Sequence, residues 1–259
     1  MKSLRRLSLN LFGEKLYYGL GYYALLLQPK FADSVRRLRQ YKELHTDERC
    51  FILGNGPSLR NTDLSLLKDE YTFGTNRIYL ISKMQNFNPT YYVAVNKLVI
   101  EQCAYEINQF LQCPRFISYD ARGWLSGGKD IIYLLSRDGP KFYRDITKGV
   151  WQGATVTYVC MQLAYFMGFR QVILIGVDHF YGMQGKPHAI AISQAADKDH
   201  FNGDYFGAGF RWQLPDLPQS EAAYQIAKNY FEDDGRVIVD ATVGGHLKVF
   251  PKIDYQKLF

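Results

Sequence analysis

Four short apolar runs constrain this chain more than any other feature: CFILG at 50–54, YTFGTN at 71–76, TYYVAVN at 90–96 and QVILIGVD at 171–178. Each is a nearly continuous run closed by Gly, Asn or Asp, with no polar face to turn to water. Strands of that kind are buried on both sides, as in a parallel sheet covered by helices. RFISY at 115–119 and RVIVDAT at 236–242 read as further strands. Helical patterns stand between them: KLVIEQCAYEINQFL, then QGATVTYVCMQLAYFMGF with Gly168 as a stop, then SEAAYQIAKNYFEDDG ended by Gly235. Another helix is expected to begin near 58–63 and to run through LSLLKDE. Residues 120–150 read as irregular, and 179–219 as a long polar, aromatic loop region. The expected fold class is α/β: a Rossmann-like, doubly wound, mainly parallel sheet with helices on both faces. A basic amphipathic helical segment, 1–46, precedes the domain at 47–259.

The chain has 259 residues, 47% of them hydrophobic and 15% aromatic, which is ample for one α/β core. Its formal charge of +6 suits a phosphorylated substrate or an anionic membrane surface. No RNA-binding signature accompanies the charge, so nucleic acid is not an expected partner. The excess gathers early, in Lys2, Arg5, Arg6, Lys15, Lys30, Arg36, Arg37, Arg39 and Lys42 against Glu14 and Asp33. The stretch LYYGLGYYALLL at 16–27 is too short to span a bilayer but suits lying on one. No secretory signal with a cleavage site is evident. Cys50, Cys103, Cys113 and Cys160 show no metal or redox spacing, which fits reduced thiols. Together these features place the protein in the cytoplasm, peripheral on the inner face of the cytoplasmic membrane through residues 1–45.

In open α/β sheets ligands bind beyond the carboxyl ends of the strands. Reading off those ends gives Gly54, Asn55, Gly56, Pro57 and Ser58, then Asn76 and Arg77, then Asn96, then Asp178. Three asparagines at three strand ends offer donors and acceptors suited to a nucleotide. The two glycines allow a tight turn and a close approach to a ligand. Pro57 and Ser58 fit a helix start whose N–H groups face an anion. There is no Walker lysine and no acidic residue placed for a dinucleotide ribose. Gly153, Ala154 and Thr155 open a helix and form a second anion-friendly loop. Among the histidines, His45 reads as a surface residue, and His179, His188, His200 and His246 as loop residues. His200, crowded by Asp197, Asp199 and Asp204, is the candidate general base. The spacing in 197–204 matches no strong metal-ligand pattern, so no metal site is expected.

The blocks ILGNGPSLRNTDLSLL, FGTNRIYL, TYYVAVNKLVIEQ and GFRQVILIGVDHFY resemble the domain shared by motility accessory factors and 6-hydroxymethylpterin diphosphokinases. They are also similar to bacterial sialyltransferases of glycosyltransferase family 42. The resemblance covers about residues 50–245. It implies a Rossmann-like nucleotide-sugar-binding domain and a sialyltransferase-like activity on a CMP-sugar and a glycan acceptor, in polysaccharide or glycoprotein assembly. It implies that Asn55, Asn76 and Asn96 contact nucleotide or sugar, that Gly153 to Thr155 lie near the phosphate, and that Asp178 is in the site. Tyr181 matches, with a one-residue shift, a tyrosine that helps the phosphate leave. No metal is obligatory in that chemistry. The family histidine is missing from the corresponding stretch, PDLPQSEAAY; His200 in DHFNGDYFG is the candidate in its place, with Asp204 or Asp216 as fallback. The alternatives are a diphosphokinase, with Mg²⁺ held by Asp178 and the Asp197, Asp199 and Asp204 cluster, or a nucleotide-binding module without catalysis. A homo-oligomer is compatible with each.

Overall fold

A computed structural model describes residues 21–125, 128–182 and 185–259. Seven parallel strands form one sheet, in the order β5-β4-β3-β2-β1-β6-β9. They are β1 (Arg49–Leu53), β2 (Tyr71–Thr75), β3 (Tyr91–Ala94), β4 (Arg115–Ser118), β5 (Ile131–Leu134), β6 (Gln171–Ile175) and β9 (Val237–Asp240). The chain steps outward from β1 to β5, then returns to place β6 on the other side of β1. A two-stranded antiparallel hairpin, β7 (Ile190–Ile192) with β8 (Arg211–Gln213), interrupts the connection from β6 to β9.

Alternate strand residues face two cores, because successive side chains point to opposite sides of a sheet. Phe51, Leu53, Tyr92, Ala94, Ile173 and Ile175 pack in one core with Phe31 and Val35 of helix α1 (Pro29–Leu38) and Val99, Ile100, Cys103 and Ile107 of α2 (Lys97–Phe110). Cys50, Ile52, Phe73, Val93, Val172 and Leu174 face the other core, with α3 (Val156–Phe166) and α4 (Leu217–Asp233). The doubly wound, Rossmann-like α/β reading therefore holds.

Several expectations need correction. The stretch expected as a helix after β1 makes two 3₁₀ turns, Pro57–Asn61 and Leu64–Leu67, with extended Thr62 between them. Asp63 accepts a hydrogen bond from the Ser65 N–H, and Gln85 accepts from the Leu64 N–H and donates to the Thr62 carbonyl. Short polar side chains that bond nearby backbone compete with the helix. Within 120–150, residues 131–134 are the fifth strand, paired with β4. The region 179–219 carries the β7–β8 hairpin. His45 is buried: its ring bonds Glu48 and the Tyr91 hydroxyl at 2.7 Å each and stacks on Phe169 at 4.5 Å.

Residues 29–46 pack into the same cores as the rest of the chain. Arg37 donates to the Ile131 carbonyl, and Ser34 Oγ accepts from the Tyr133 N–H. The early basic residues Lys2, Arg5, Arg6 and Lys15, with residues 16–20 of the 16–27 stretch, lie outside the described residues. No described helix is long and apolar enough to cross a membrane.

Candidate functional site

A cleft of about 500 Å³ opens at the carboxyl ends of the strands. The ends of β1, β2, β3 and β6 form its floor, the start of α3 one wall, the start of α4 another, and the β7–β8 hairpin with the 199–206 loop the rim. Of the sequence candidates, Gly54, Asn55, Gly56, Asn76, Asn96, Gly153, Ala154, Thr155, Asp178, Tyr181 and His200 line it, and so does Asp216. Pro57, Ser58, Arg77 and Asp204 do not.

The loop after β1 is packed against β6 rather than held open. A Cβ on Gly54 would stand 2.2 Å from the Gly176 carbonyl oxygen, and one on Gly56 would stand 1.8 Å from Asp178 Oδ2. The N–H groups of Gly54 and Gly56 bond the carbonyls of Ile175 and Gly176. Pro57 has no N–H. The Ser58 N–H and hydroxyl both donate to the Asp178 carboxylate, at 3.0 and 2.7 Å. The anion at this loop is thus Asp178 itself, and the expected phosphate cradle at Ser58 is already filled.

The second loop is different. Gly153 and Ala154 have φ of +57° and +60°. Among the described residues, their N–H groups and that of Val156 have no hydrogen-bond partner. Thr155 caps α3, its Oγ1 accepting from the Thr157 N–H. Of the six described non-glycine residues with positive φ, Asn76, Ala154, His179 and His188 line the cleft. Strain of this kind, about 1–3 kcal/mol per residue, gathers where a site needs it.

The three asparagines are not equivalent. Asn96 is a helix cap: Oδ1 accepts from the N–H groups of Leu98 and Val99, and Nδ2 donates to Gln213. Asn55 donates through Nδ2 to the Thr75 carbonyl and hydroxyl, but its Oδ1 is buried without a partner. Asn76 Oδ1 is likewise buried and unpaired.

His200 is buried and stacked on Tyr205, with ring centroids 4.0 Å apart. Its Nδ1 lies 2.8 Å from Asp197 Oδ2. Burial pushes the Asp197 carboxyl up; the His200 ring and the N–H groups of Asp199 and Phe206 outweigh that and hold it below the usual range. The contact with Asp197 fixes the orientation of the His200 ring through its Nδ1 edge. The loop around His200 is anchored by its carbonyls. Arg60 donates to Phe201 and His200 at 2.7 and 3.0 Å, and Arg77 donates to Asp204 at 2.8 Å and also to Tyr205. Arg77 also pairs with Glu106 and is a brace rather than a ligand-facing group. Asp204 is exposed and outside the cleft, so it is not placed as a base. Tyr181 keeps its proton: burial, reinforced by nearby carboxylates, pushes the hydroxyl well above its ordinary value.

Sequence reasoning gave little weight to two histidines that the fold brings in. His179 lines the cleft with Nε2 2.9 Å from Glu221, and His188 with Nε2 3.2 Å from Asp216. The His188–Asp216 pair stands where PDLPQS begins α4, in the stretch that lacks a histidine of its own. Trp151, Gln152, Phe206, Trp212 and Gln213 were also missed; nothing in their spacing marks them.

The carboxylates that would hold Mg²⁺ do not fit that task. Asp178 is bound to Ser58, Asp197 to His200, Asp199 Oδ1 to the Gly182 N–H, and Asp204 lies outside the cleft. Among the described residues no three His, Cys, Asp or Glu side chains converge as ligands.

No curated protein matches the chain. The fold is similar to that of a solved structure described as MAf glycosyltransferase from Magnetospirillum magneticum AMB-1, with a TM-score of 0.54 and 16% identity. The match covers 89% of this chain and 39% of that one, so this chain spans well under half of that protein. A family model described as 6-hydroxymethylpterin diphosphokinase MptE-like matches residues 28–183, more than half of the sequence, and the protein belongs to that family.

Proposed function

We propose that the protein is a glycosyltransferase. It moves an acidic, sialic acid-like sugar from a CMP-linked donor to a hydroxyl of a glycan or glycoconjugate. The observation that carries this reading is the Asp197-oriented His200 in a cleft floored by the unpaired amide oxygens of Asn55 and Asn76. The likeness in fold to a protein described as a glycosyltransferase supports it.

The chemistry follows from the groups present. His200 Nε2 takes the proton of the acceptor hydroxyl, whose oxygen attacks the anomeric carbon. The bond from that carbon to the phosphate oxygen breaks, and CMP leaves with the electron pair. The protonated Tyr181 hydroxyl and the N–H groups of Gly153 and Ala154 stabilise the charge that grows on the phosphate. Asp178 shapes the β1 loop from which Asn55 projects. Residues 1–45 dock the protein on an anionic membrane surface where the acceptor is assembled.

The test is calorimetric titration of CMP, followed by transfer assays with CMP-sugars on the wild type, Asn55→Ala and His200→Ala. The expected result is CMP binding weakened in Asn55→Ala and a turnover loss of about 100-fold or more in His200→Ala. Absence of CMP binding, or unchanged turnover in His200→Ala, overturns the reading. The family match favours one second reading, a diphosphokinase acting on ATP and a hydroxymethylpterin. Mg²⁺-dependent AMP release in the presence of that pterin would establish it, although the dispersed carboxylates argue against it.

A further inference from the structure

Trp212 belongs to β8, where burial runs exposed, buried, exposed, so its indole turns inward while Arg211 and Gln213 face out. The ring is 6% exposed, lines the cleft and stacks on Phe206 at 5.4 Å and 29°. Its Nε1–H is buried and has no hydrogen-bond partner among the described residues. A buried indole N–H ordinarily finds an acceptor. Phe would supply the same ring packing without the orphaned donor, so packing alone does not explain the residue.

The hairpin holds this indole in place. The Arg211 N–H donates to Gln102 Oε1, Gln102 Nε2 donates to the Arg211 carbonyl, and Asn96 Nδ2 donates to Gln213 Oε1. Trp212 is therefore fixed at the cleft by bonds on both sides, from α2 and from the end of β3. The unpaired groups of the same cleft complement one another. Asn55 Oδ1 and Asn76 Oδ1 need donors, and Trp212 Nε1 needs an acceptor. Val95, Val99 and Phe206 supply apolar lining. A flat ring with donors and acceptors on its edge answers all three needs.

We infer that Trp212 is a base-reading residue: its indole N–H donates to a ring nitrogen or carbonyl oxygen of the nucleobase of the bound nucleotide. The inference deepens the nucleotide-sugar reading and rests on it. Base recognition is thereby assigned to the β7–β8 hairpin, outside the four strand ends that hold Asn55, Asn76, Asn96 and Asp178.

The test uses the full chain with CMP, UMP, AMP and the baseless ribose 5-phosphate. Trp212→Phe keeps the ring and removes the N–H. The expected result is about a 10-fold loss of CMP affinity, with ribose 5-phosphate affinity unchanged. In the wild type, the Trp212 indole N–H resonance, assigned by its absence in the variant, moves downfield with CMP and stays with ribose 5-phosphate. A preference for UMP or AMP with the same loss in Trp212→Phe supports the assignment and changes only the base. CMP binding that is equal in wild type and variant, or an indole resonance that does not move, overturns it. A wild type that binds none of the nucleotides overturns the nucleotide reading itself. Should Trp212→Phe not fold, Trp124→Phe and Trp151→Phe assign the remaining resonance, and its response to CMP decides.

Discussion

The two glycine loops of this protein look alike in sequence and do opposite things. Gly54-Asn55-Gly56-Pro57-Ser58 follows β1, and Gln152-Gly153-Ala154-Thr155 precedes α3. In the first, the backbone N–H groups of Gly54, Gly56 and Ser58 all have partners within the protein, and the glycines exist because β6 and Asp178 approach too closely for a Cβ. In the second, left-handed backbone at Gly153 and Ala154 leaves N–H groups unpaired at a cleft wall. Both loops are packed too closely for a side chain, since a Cβ on Gly153 would stand 2.7 Å from Ala223 Cβ and from Tyr158 Cδ1; what differs is where their N–H groups go. Only the accounting of backbone hydrogen bonds separates them.

Substitutions at the two loops test this contrast. Gly56→Ala gives the largest effect: a methyl driven onto the Asp178 carboxylate costs about 3 kcal/mol, read by denaturant unfolding. Stability equal to wild type together with lost CMP binding would reverse the contrast and make the first loop the ligand loop. Ser58→Ala removes one of two hydrogen bonds to a carboxylate and costs about 2 kcal/mol, with CMP affinity unchanged within about twofold.

Asp197→Asn separates the His200 loop from both. The Asp197 carboxyl is held below its unfolded value, so the stability it contributes is present above the unfolded carboxylate range, about pH 4, and is lost as pH falls through the folded value. The variant is expected to lose about 1–2 kcal/mol at pH 7, and the gap to wild type should close in acid. A gap that persists undiminished well below pH 4 contradicts the ionised Asp197. Ala154→Gly has the smallest effect. It relieves a positive φ, so stability rises by no more than about 1 kcal/mol while CMP affinity falls a few-fold as the loop loosens. Unchanged CMP affinity in this variant would remove the second loop from the phosphate site.

Much of the fold was legible. The runs at 50–54, 71–76, 90–96 and 171–178 are strands because they are continuous and apolar, and the helices at α2, α3 and α4 carry their own caps and stops. The fifth strand was not legible: IIYLLS is followed by RDGP and lacks a clear helix beside it, and only pairing with β4 makes it a strand. The helix expected through LSLLKDE failed because Thr62 and Asp63 offer the backbone local partners. Arg77 was read as a ligand contact from its place at a strand end, yet its guanidinium bonds the carbonyls of a loop more than a hundred residues away. Asn55 and Asn76, read from the sequence as ligand contacts at strand ends, line the cleft, whereas their unpaired oxygens were visible only once every neighbour had been placed.

What the sequence determined by itself is the α/β architecture and the set of strand ends where a ligand can bind. Both follow from local patterns, burial periodicity and backbone breakers, which act within a few residues. Tertiary structure decided which of those residues face the cleft. It tied Ser58 to Asp178 across 120 residues, Arg60 to His200 across 140, and set Trp212 in the wall of the same cleft. Partners that far apart in the chain leave no local trace, because a hydrogen bond or a packed ring is specified by position in space and not by spacing in sequence.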